Sequence, residues 1–196
     1  MNNTHIVLAT KNNGKLKEIR VLLAQSGIDV LCAEEVGVAE EITEDGKTLQ
    51  ENALKKASFV FERVHGWTAG EDTGLFIDAL DGEPGIHTAR WLGEGGDHVA
   101  YTLERMKGIP PVRRAAHFTA IVALISPEGK EFFFEGRVDG HILEAARGTA
   151  HPHLPYDVLF VPDEGDGRTF AEMTGEEKNM FSHRARAIQK MKDFLS

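Results

Sequence analysis

Hydrophobic and polar positions along the chain are grouped in blocks that predict an α/β protein. An apolar run at residues 6–9 is followed by a polar loop and then by leucines and an isoleucine at helical spacing from about Lys15, with Gly27 where a helix C-cap is expected. Another apolar run follows at residues 28–32. The order strand, loop, helix, strand favours a parallel pair of strands joined by a crossover helix.

The same pattern continues downstream with further helices and strands. Thr48 and Glu51 have the spacing of a capping box and predict the start of an amphipathic helix that extends to Val64. Polar helix-start signals also precede the later helices. The remaining predictions are strands at 75–80, 118–125, 131–138 (with 140–143 as an extension) and 158–161, and helices beginning at Asp97, Thr174 and Ser182.

Composition narrows the class of protein. The chain has 196 residues, of which 41% are hydrophobic and 27% charged, and this predicts one ordinary globular domain, which we expect to have two lobes. The single cysteine, Cys32, excludes a disulfide framework or a cysteine-rich zinc site within one chain. A net charge of −9 argues against general binding to nucleic acid or to an anionic membrane. Because the sequence begins without a targeting pattern or long apolar run, we predict a cytoplasmic protein.

The loop between the first strand and the first helix is a candidate phosphate site. It carries Thr10 and Asn12 as hydrogen-bond donors, Gly14 for close backbone approach and Lys15 as a mobile positive charge. Unpaired N–H groups at a helix N-terminus favour an anion. A polar loop that merely starts a helix has the same spacing, so the loop alone does not decide between these interpretations.

Two acidic stretches stand out, and the second is a candidate metal site. The first contains Glu40, Glu41, Glu44 and Asp45, and the second is Glu71-Asp72-Thr73-Gly74 at a strand boundary. Adjacent carboxylates suit Mg²⁺, which takes oxygen ligands and keeps waters and substrate phosphates in its coordination shell. A solvated acidic loop and a simple turn are the alternatives.

Taken together, these segments resemble the inosine triphosphate pyrophosphatase family, also called the Ham1 family. The resemblance runs from about Ile6 to Leu195. Its motifs are Thr10-x-Asn12-x-x-Lys15-x-x-Glu18, Thr48-x-x-Glu51-Asn52-Ala53 with Lys56, Asp72-Thr73-Gly74-Leu75, Pro84-Gly85-Ile86 with Ala89-Arg90, Tyr156-Asp157, and Glu176-Glu177-Lys178 followed by Ser182-His183-Arg184.

The resemblance implies a fold and a reaction. The fold is a two-lobed α/β structure around a long mixed sheet flanked by helices, with the active site in the cleft between the lobes and a homodimer as the usual assembly. The reaction is hydrolysis of ITP, dITP or XTP, with Mg²⁺ or alternatively Mn²⁺, to the monophosphate and pyrophosphate. This activity removes deaminated purine nucleotides before a polymerase uses them.

The resemblance also implies roles for individual residues. Asp72 is the predicted general base, or the carboxylate that orients water through the metal, with Glu71 as the alternative base. The expected metal ligands are Glu44, Glu71 and Asp72, and Arg184 with His183 is expected to read the 6-oxo edge of the purine. The other expected substrate contacts are Thr10, Asn12, Lys15, Lys56, Thr73, Arg90, Leu154, Tyr156, Asp157 and Lys178.

The chain departs from the family pattern at three places. Lys11 stands where glycine is common, and Glu71-Asp72 replaces the frequent Asp-Asp pair. The usual Gly-Phe-Gly-Tyr-Asp is here His153-Leu154-Pro155-Tyr156-Asp157, so the base-stacking phenylalanine is missing. Leu154, or alternatively His151 or His153, is expected to cover the purine instead. This last difference keeps open a related pyrophosphatase that prefers another modified or standard nucleotide. A non-catalytic nucleotide-binding protein is a further alternative, which the retained acidic residues disfavour.

Overall fold

The computed structural model describes residues 4–24, 26–40, 42–93 and 96–196, so Glu41 of the acidic run lies outside the described residues. The strands are β1 (Thr4–Ala9), β2 (Ile28–Cys32), β3 (Thr68–Ile77), β4 (Pro84–Gly85), β5 (Ala115–Ile125), β6 (Glu131–Ile142) and β7 (Phe160–Pro162). The helices are α1 (Asn13–Leu23), α2 (Leu49–Val64), α3 (His98–Arg105), α4 (Gly175–Asn179) and α5 (His183–Leu195).

The strands form one seven-stranded mixed sheet in the order β2-β1-β3-β5-β6-β7, with β4 paired to β3. β1 runs parallel to β2 and to β3, and places Ala9 opposite Gly70. β4 and β7 pair antiparallel with β3 and β6. The prediction of a mixed central sheet flanked by helices is therefore confirmed.

The chain divides into two compact units, and β3, β5 and β6 each run from one into the other. The first unit comprises Met1–Asp72, Ala120–Gly136 and His183–Ser196, and the second comprises Thr73–Thr119 and Arg137–Ser182. The part of the chain that the structure describes contains no helix long and apolar enough to cross a membrane.

In the first unit, two glycines let helices lie directly against strands. A Cβ on Gly70 of β3 would be 2.1 Å from the Ala53 carbonyl oxygen of α2, and a Cβ on Gly136 of β6 would be 2.0 Å from the His183 carbonyl oxygen of α5. Contacts this close are open only to glycine. The apolar core of the first unit contains Ile6, Leu8, Ile19, Leu23, Ala120, Val122, Leu124, Ile188 and Met191.

The second unit is built around an aromatic core. Phe118 packs edge-on against Phe160, with ring centroids 4.9 Å apart, and both contact Phe170. Beside this core the guanidinium of Arg114 donates to the carbonyl oxygens of Met106, Ile109, Ile142 and Leu143. Burial lowers the pKa of Arg114, and these backbone acceptors satisfy its donors.

The predicted helix starts are confirmed where capping residues mark them. Thr48, Asp97 and Thr174 each accept a backbone N–H from the third residue that follows. The strand boundaries are less accurate. β3 begins at Thr68 rather than Leu75, so the acidic pair lies within a strand, and β7 begins at Phe160 because residues 155–158 form a 3-10 turn.

Candidate active site

The loop before α1 is organised by its own side chains. Asn12 caps the helix by accepting the Lys15 backbone N–H at 3.0 Å, and Thr10 Oγ1 accepts the Asn12 N–H at 3.1 Å. The Thr10 hydroxyl proton and the Asn12 amide hydrogens are of the donor type that phosphate oxygens accept. The first N–H groups of α1 carry the positive end of the helix dipole. This loop therefore has the chemistry of an anion site.

Glu71 in β3 is held between two cations. Its Oε2 lies 2.8 Å from Lys15 Nζ at the start of α1, and its Oε1 lies 3.3 Å from Arg184 Nη2 in the first turn of α5. Arg184 also pairs closely with Glu18 of α1. Glu71 and Arg184 are 2% and 1% exposed, so these charges form one buried network.

Asp72, the next residue, contacts a different helix. Its Oδ1 lies 2.7 Å from Lys56 Nζ, and its Oδ2 accepts from Asn52 Nδ2 at 3.3 Å, both on α2. Lys56 Nζ also contacts Glu44 Oε1 at 3.1 Å. Adjacent strand residues point to opposite faces of a sheet, which is why Asp72 faces α2 while Glu71 faces α1 and α5.

The buried charges perturb one another. Burial raises the pKa of Asp72, against the opposing effect of Lys56 and Lys15. Burial also works to lower the pKa of Lys56, but the carboxylates of Asp72 and Glu44 outweigh it and the pKa is raised overall. The pKa of Lys15 is lowered by burial, with Glu71 acting in the opposite direction. Such mutually perturbed groups are typical of functional sites.

The second unit has a candidate cluster of its own. Lys178 Nζ lies 2.6 Å from Asp157 Oδ2 and 5.1 Å from the centroid of Phe170. The Tyr156 hydroxyl is buried, donates to the Thr88 carbonyl oxygen at 3.1 Å and lies 3.2 Å from His98 Nδ1. Tyr156, Asp157 and Lys178 are thus brought together, but the hydroxyl is engaged by protein groups.

The remaining predicted residues differ in exposure. Arg90 is exposed and Leu154 half-buried in the second unit, where Leu154 donates its N–H to the His151 carbonyl oxygen at 3.0 Å. Thr73 follows Asp72 in β3 and is half-buried, and His183 is buried at the start of α5.

Sequence reasoning assigned no role to four residues that contact the candidate groups: Glu18, Asn52, Thr88 and His98. Glu18 and Asn52 belong to the family motifs, and this membership could have indicated that they lie at the site. Thr88 contacts Tyr156 through its backbone carbonyl, and His98 contacts it across 58 residues of sequence. Neither contact could therefore be predicted from a local sequence pattern.

Comparison with known proteins identifies the family of the chain. The profile of the Ham1 family matches residues 6–194, and the chain therefore belongs to the Ham1 family. The resemblance expected from the motifs is confirmed.

Individual relatives match over nearly the full length. The dITP/XTP pyrophosphatases of Symbiobacterium thermophilum and Geobacter sulfurreducens are each 43% identical, covering 96% and 98% of this chain and 93% and 96% of theirs. The structure is similar to that of a HAM1 protein from Coxiella burnetii, with a TM-score of 0.86, 30% identity and 98% of each chain covered. It also resembles the nucleoside-triphosphatase / dITP/XTP pyrophosphatase of Mycobacterium abscessus, with a TM-score of 0.74, 37% identity and coverage of 96% and 98%.

Proposed function

We propose that the chain is a nucleoside triphosphate pyrophosphatase that hydrolyses non-standard purine nucleotides, ITP, dITP and XTP, to the monophosphate and pyrophosphate. Membership of the Ham1 family and full-length relatives named dITP/XTP pyrophosphatase support the reaction class. The observation that carries the proposal is the placement of Asp72 against Lys56, with Glu44 on the same ammonium group. A non-catalytic nucleotide-binding protein would have little use for this arrangement.

The donor set fits a divalent cation that is completed by substrate. Glu44 and Asp72 both reach one ammonium group, so their oxygens already converge on a single positive charge. Among residues 4–24, 26–40, 42–93 and 96–196, no group of three or more His, Cys, Asp or Glu side chains is arranged to hold a metal. Two carboxylates suffice for Mg²⁺ in nucleotide sites, because phosphates and water supply the other ligands.

We assign Glu44 and Asp72 as the ligands of Mg²⁺, or alternatively Mn²⁺. When bound, the ion neutralises charge that develops on the phosphate oxygens. The assignment of Glu71 to the metal stays a prediction, since its two oxygens contact Lys15 and Arg184.

Asp72 is the proposed base. A water oxygen attacks the α-phosphorus, its proton passes to an Asp72 carboxylate oxygen, and the bond from the α-phosphorus to the bridging oxygen breaks to release pyrophosphate. Lys56 Nζ, 2.7 Å away, fixes the direction of one carboxylate oxygen.

The triphosphate is proposed to bind at the start of α1. Thr10 and Asn12 offer hydrogen-bond donors, and Lys15 retains 17% side-chain exposure despite its contact with Glu71. Lys15 can therefore reach a phosphate oxygen while Glu71 holds its side chain in place. Lys56, whose charge acts on Lys15, supplies further positive charge for the triphosphate. Lys178, in the second unit, is also assigned to the triphosphate as a positive charge.

The nucleoside contacts are proposed from the remaining residues. Asp157, Leu154, Thr73 and Arg90 are assigned to the sugar and base, and His183 and Arg184 to the purine edge. Tyr156 is assigned to shape the same site through its ring, because its hydroxyl contacts Thr88 and His98. A 6-oxo group accepts a hydrogen bond where adenine would present a donor, and this difference would discriminate against ATP. We further propose that the enzyme acts as a homodimer in the cytoplasm.

The test is a panel of ITP, dITP, XTP, GTP, ATP and dUTP with Mg²⁺, in which pyrophosphate is measured separately from orthophosphate, for the wild type and Asp72→Asn. We expect pyrophosphate mainly from the inosine and xanthine nucleotides and its loss in Asp72→Asn. Equal release from ATP or GTP would mean that the loop around Leu154 has changed the specificity. Absence of release from every nucleotide would favour a binding role.

A further inference from the structure

A buried amide, Asn52, joins the Asp72 carboxylate to the backbone of the loop that carries Glu44. It lies at the end of the first turn of α2 and is 0% exposed. Its Oδ1 accepts the Gly46 backbone N–H at 2.9 Å, and its Nδ2 donates to Asp72 Oδ2 at 3.3 Å. One side chain therefore touches both the segment that carries Glu44 and the proposed base.

The chemistry of these partners allows only one orientation of the amide. A backbone N–H only donates and an ionised carboxylate only accepts, so the amide oxygen must face Gly46 and the amide nitrogen must face Asp72. Leucine would make neither bond, and aspartate of similar size would make only the first. Neither alternative satisfies both partners.

The close approach of Gly46 is a second, independent observation. A Cβ built on Gly46 would lie 2.6 Å from Asn52 Oδ1 and 2.9 Å from Glu51 Cβ. The backbone of the acidic loop at Gly46 therefore packs directly against side chains of α2. A residue larger than glycine would not fit at position 46. Glu44 is two residues from this contact, so a displacement of Gly46 would move the Glu44 carboxylate relative to Lys56 and Asp72.

We propose that Asn52 is a positioning residue that holds the Glu44 loop and the Asp72 carboxylate side by side, where both carboxylates reach Lys56 Nζ and would share one divalent cation. Each oxygen of Asp72 then has its own donor, Lys56 for Oδ1 and Asn52 for Oδ2, and the carboxylate plane cannot rotate freely. The inference rests on the proposed function for its catalytic consequence, but its geometric part concerns the free protein.

The test compares Asn52→Ala, Asn52→Asp and Gly46→Ala with the control Gln50→Ala, an exposed amide on the same helix. Binding of Mn²⁺ to the free protein is followed by EPR, and kcat, KM and the Mg²⁺ dependence are measured with ITP. Thermal unfolding of every variant shows which of them remain folded at the assay temperature.

For Asn52→Ala and Gly46→Ala we expect weaker Mn²⁺ binding, a higher Mg²⁺ requirement and a fall in kcat of about tenfold or more, with a smaller change in KM. Asn52→Asp keeps an acceptor for Gly46 and adds a carboxylate beside Asp72, so we expect Mn²⁺ binding at least as tight as in the wild type together with a reduced kcat. A purely structural role would not separate metal affinity from kcat in this way.

Wild-type metal binding and kcat in a folded Asn52→Ala protein would overturn the proposal. Parallel losses of binding and kcat in Asn52→Asp would also overturn it. Should the wild type hydrolyse no nucleotide, the proposed function would fail, while the Mn²⁺ measurements on the free protein would still decide whether Asn52 sets the spacing of Glu44 and Asp72.

Discussion

Glu71 and Asp72 are neighbours in sequence but contact separate sets of charges, because consecutive residues of β3 point to opposite faces of the sheet. Glu71 contacts Lys15 and Arg184, and Asp72 contacts Lys56 on α2. An acidic pair that looks like a single metal-binding unit in the sequence therefore has two roles in the structure. Glu71 balances two buried cations, and Asp72 is the acid that we propose takes part in the reaction.

The first prediction separates these two roles by isosteric substitution. Glu71→Gln leaves Lys15 and Arg184 without their shared carboxylate, and removing one partner from a buried charge network costs about 3–5 kcal/mol of the free energy of unfolding. Asp72→Asn destabilises less, because Lys56 keeps its contact with Glu44. Urea unfolding measures both variants, and the idea of two roles fails if Asp72→Asn is the more destabilising substitution.

The second comparison of these variants concerns activity, and here we expect Asp72→Asn to lose more than Glu71→Gln. Asp72→Asn removes the proposed base and should lower kcat by roughly 100-fold or more. Glu71→Gln, assayed at a temperature where it is folded, should act mainly on KM through a less ordered Lys15. A larger kcat loss in Glu71→Gln would instead favour Glu71 as the base.

Local signals allowed correct prediction of the helix starts, and long-range contacts explain the main errors. The caps at Thr48, Asp97 and Thr174 depend on residues three apart and were legible in the sequence. The start of β3 was missed because charged residues lie inside a buried strand. Their counterions come from distant positions, with Arg184 lying 113 residues from Glu71.

The family motifs predicted which residues belong to the candidate site, but not which of them contact one another. The family pattern pointed to Lys15, Lys56 and Asp72 without indicating which cation meets which acid. That pairing depends on strand alternation and on Gly70, where the absent Cβ lets α2 lie against β3. Neither effect has a signature that a single sequence could reveal.

The second prediction concerns the Tyr156 hydroxyl. Tyr156→Phe removes the donor to the Thr88 carbonyl oxygen and the contact with His98, all inside the second unit. Leaving buried polar groups without their partner costs about 1–3 kcal/mol, so urea unfolding should show a clear loss of stability. The matched control is Tyr101→Phe, whose hydroxyl accepts from Arg105 at an exposed position and should be close to neutral. Equal losses of stability in Tyr156→Phe and Tyr101→Phe would contradict a stabilising role for the hydrogen bonds of the Tyr156 hydroxyl.

The third prediction is a pH dependence of stability. The Arg168 guanidinium, helped by the Thr174 backbone N–H, holds the pKa of the Glu177 carboxyl at about 2. A carboxyl whose folded pKa lies below its unfolded value stabilises the protein at neutral pH, and that contribution is lost as pH falls from the unfolded value towards 2.

Glu177→Gln should therefore be less stable than the wild type at pH 7, and the difference should shrink steadily at lower pH. Urea unfolding at several pH values measures it, with Glu176→Gln as a control that removes the adjacent carboxylate of the same helix. A difference that stays constant between pH 7 and pH 3 would refute the role of the Glu177 charge.

The last prediction tests the consequence of leucine at position 154, where the family usually has phenylalanine. Leu154 is half-buried in the turn that begins at His151, so a larger ring can be accommodated towards solvent. Stacking of a base on an aromatic side chain is worth roughly 1–3 kcal/mol, and Leu154→Phe should lower KM for the nucleotide by about tenfold with kcat nearly unchanged. Because stacking tolerates every base, the gain should be similar for ITP, XTP and GTP, leaving the preference among them unaltered. The control Leu92→Phe makes the same change at an exposed leucine of the second unit. An unchanged KM in Leu154→Phe would show that this position does not cover the base, and a gain confined to one nucleotide would show that it reads base identity.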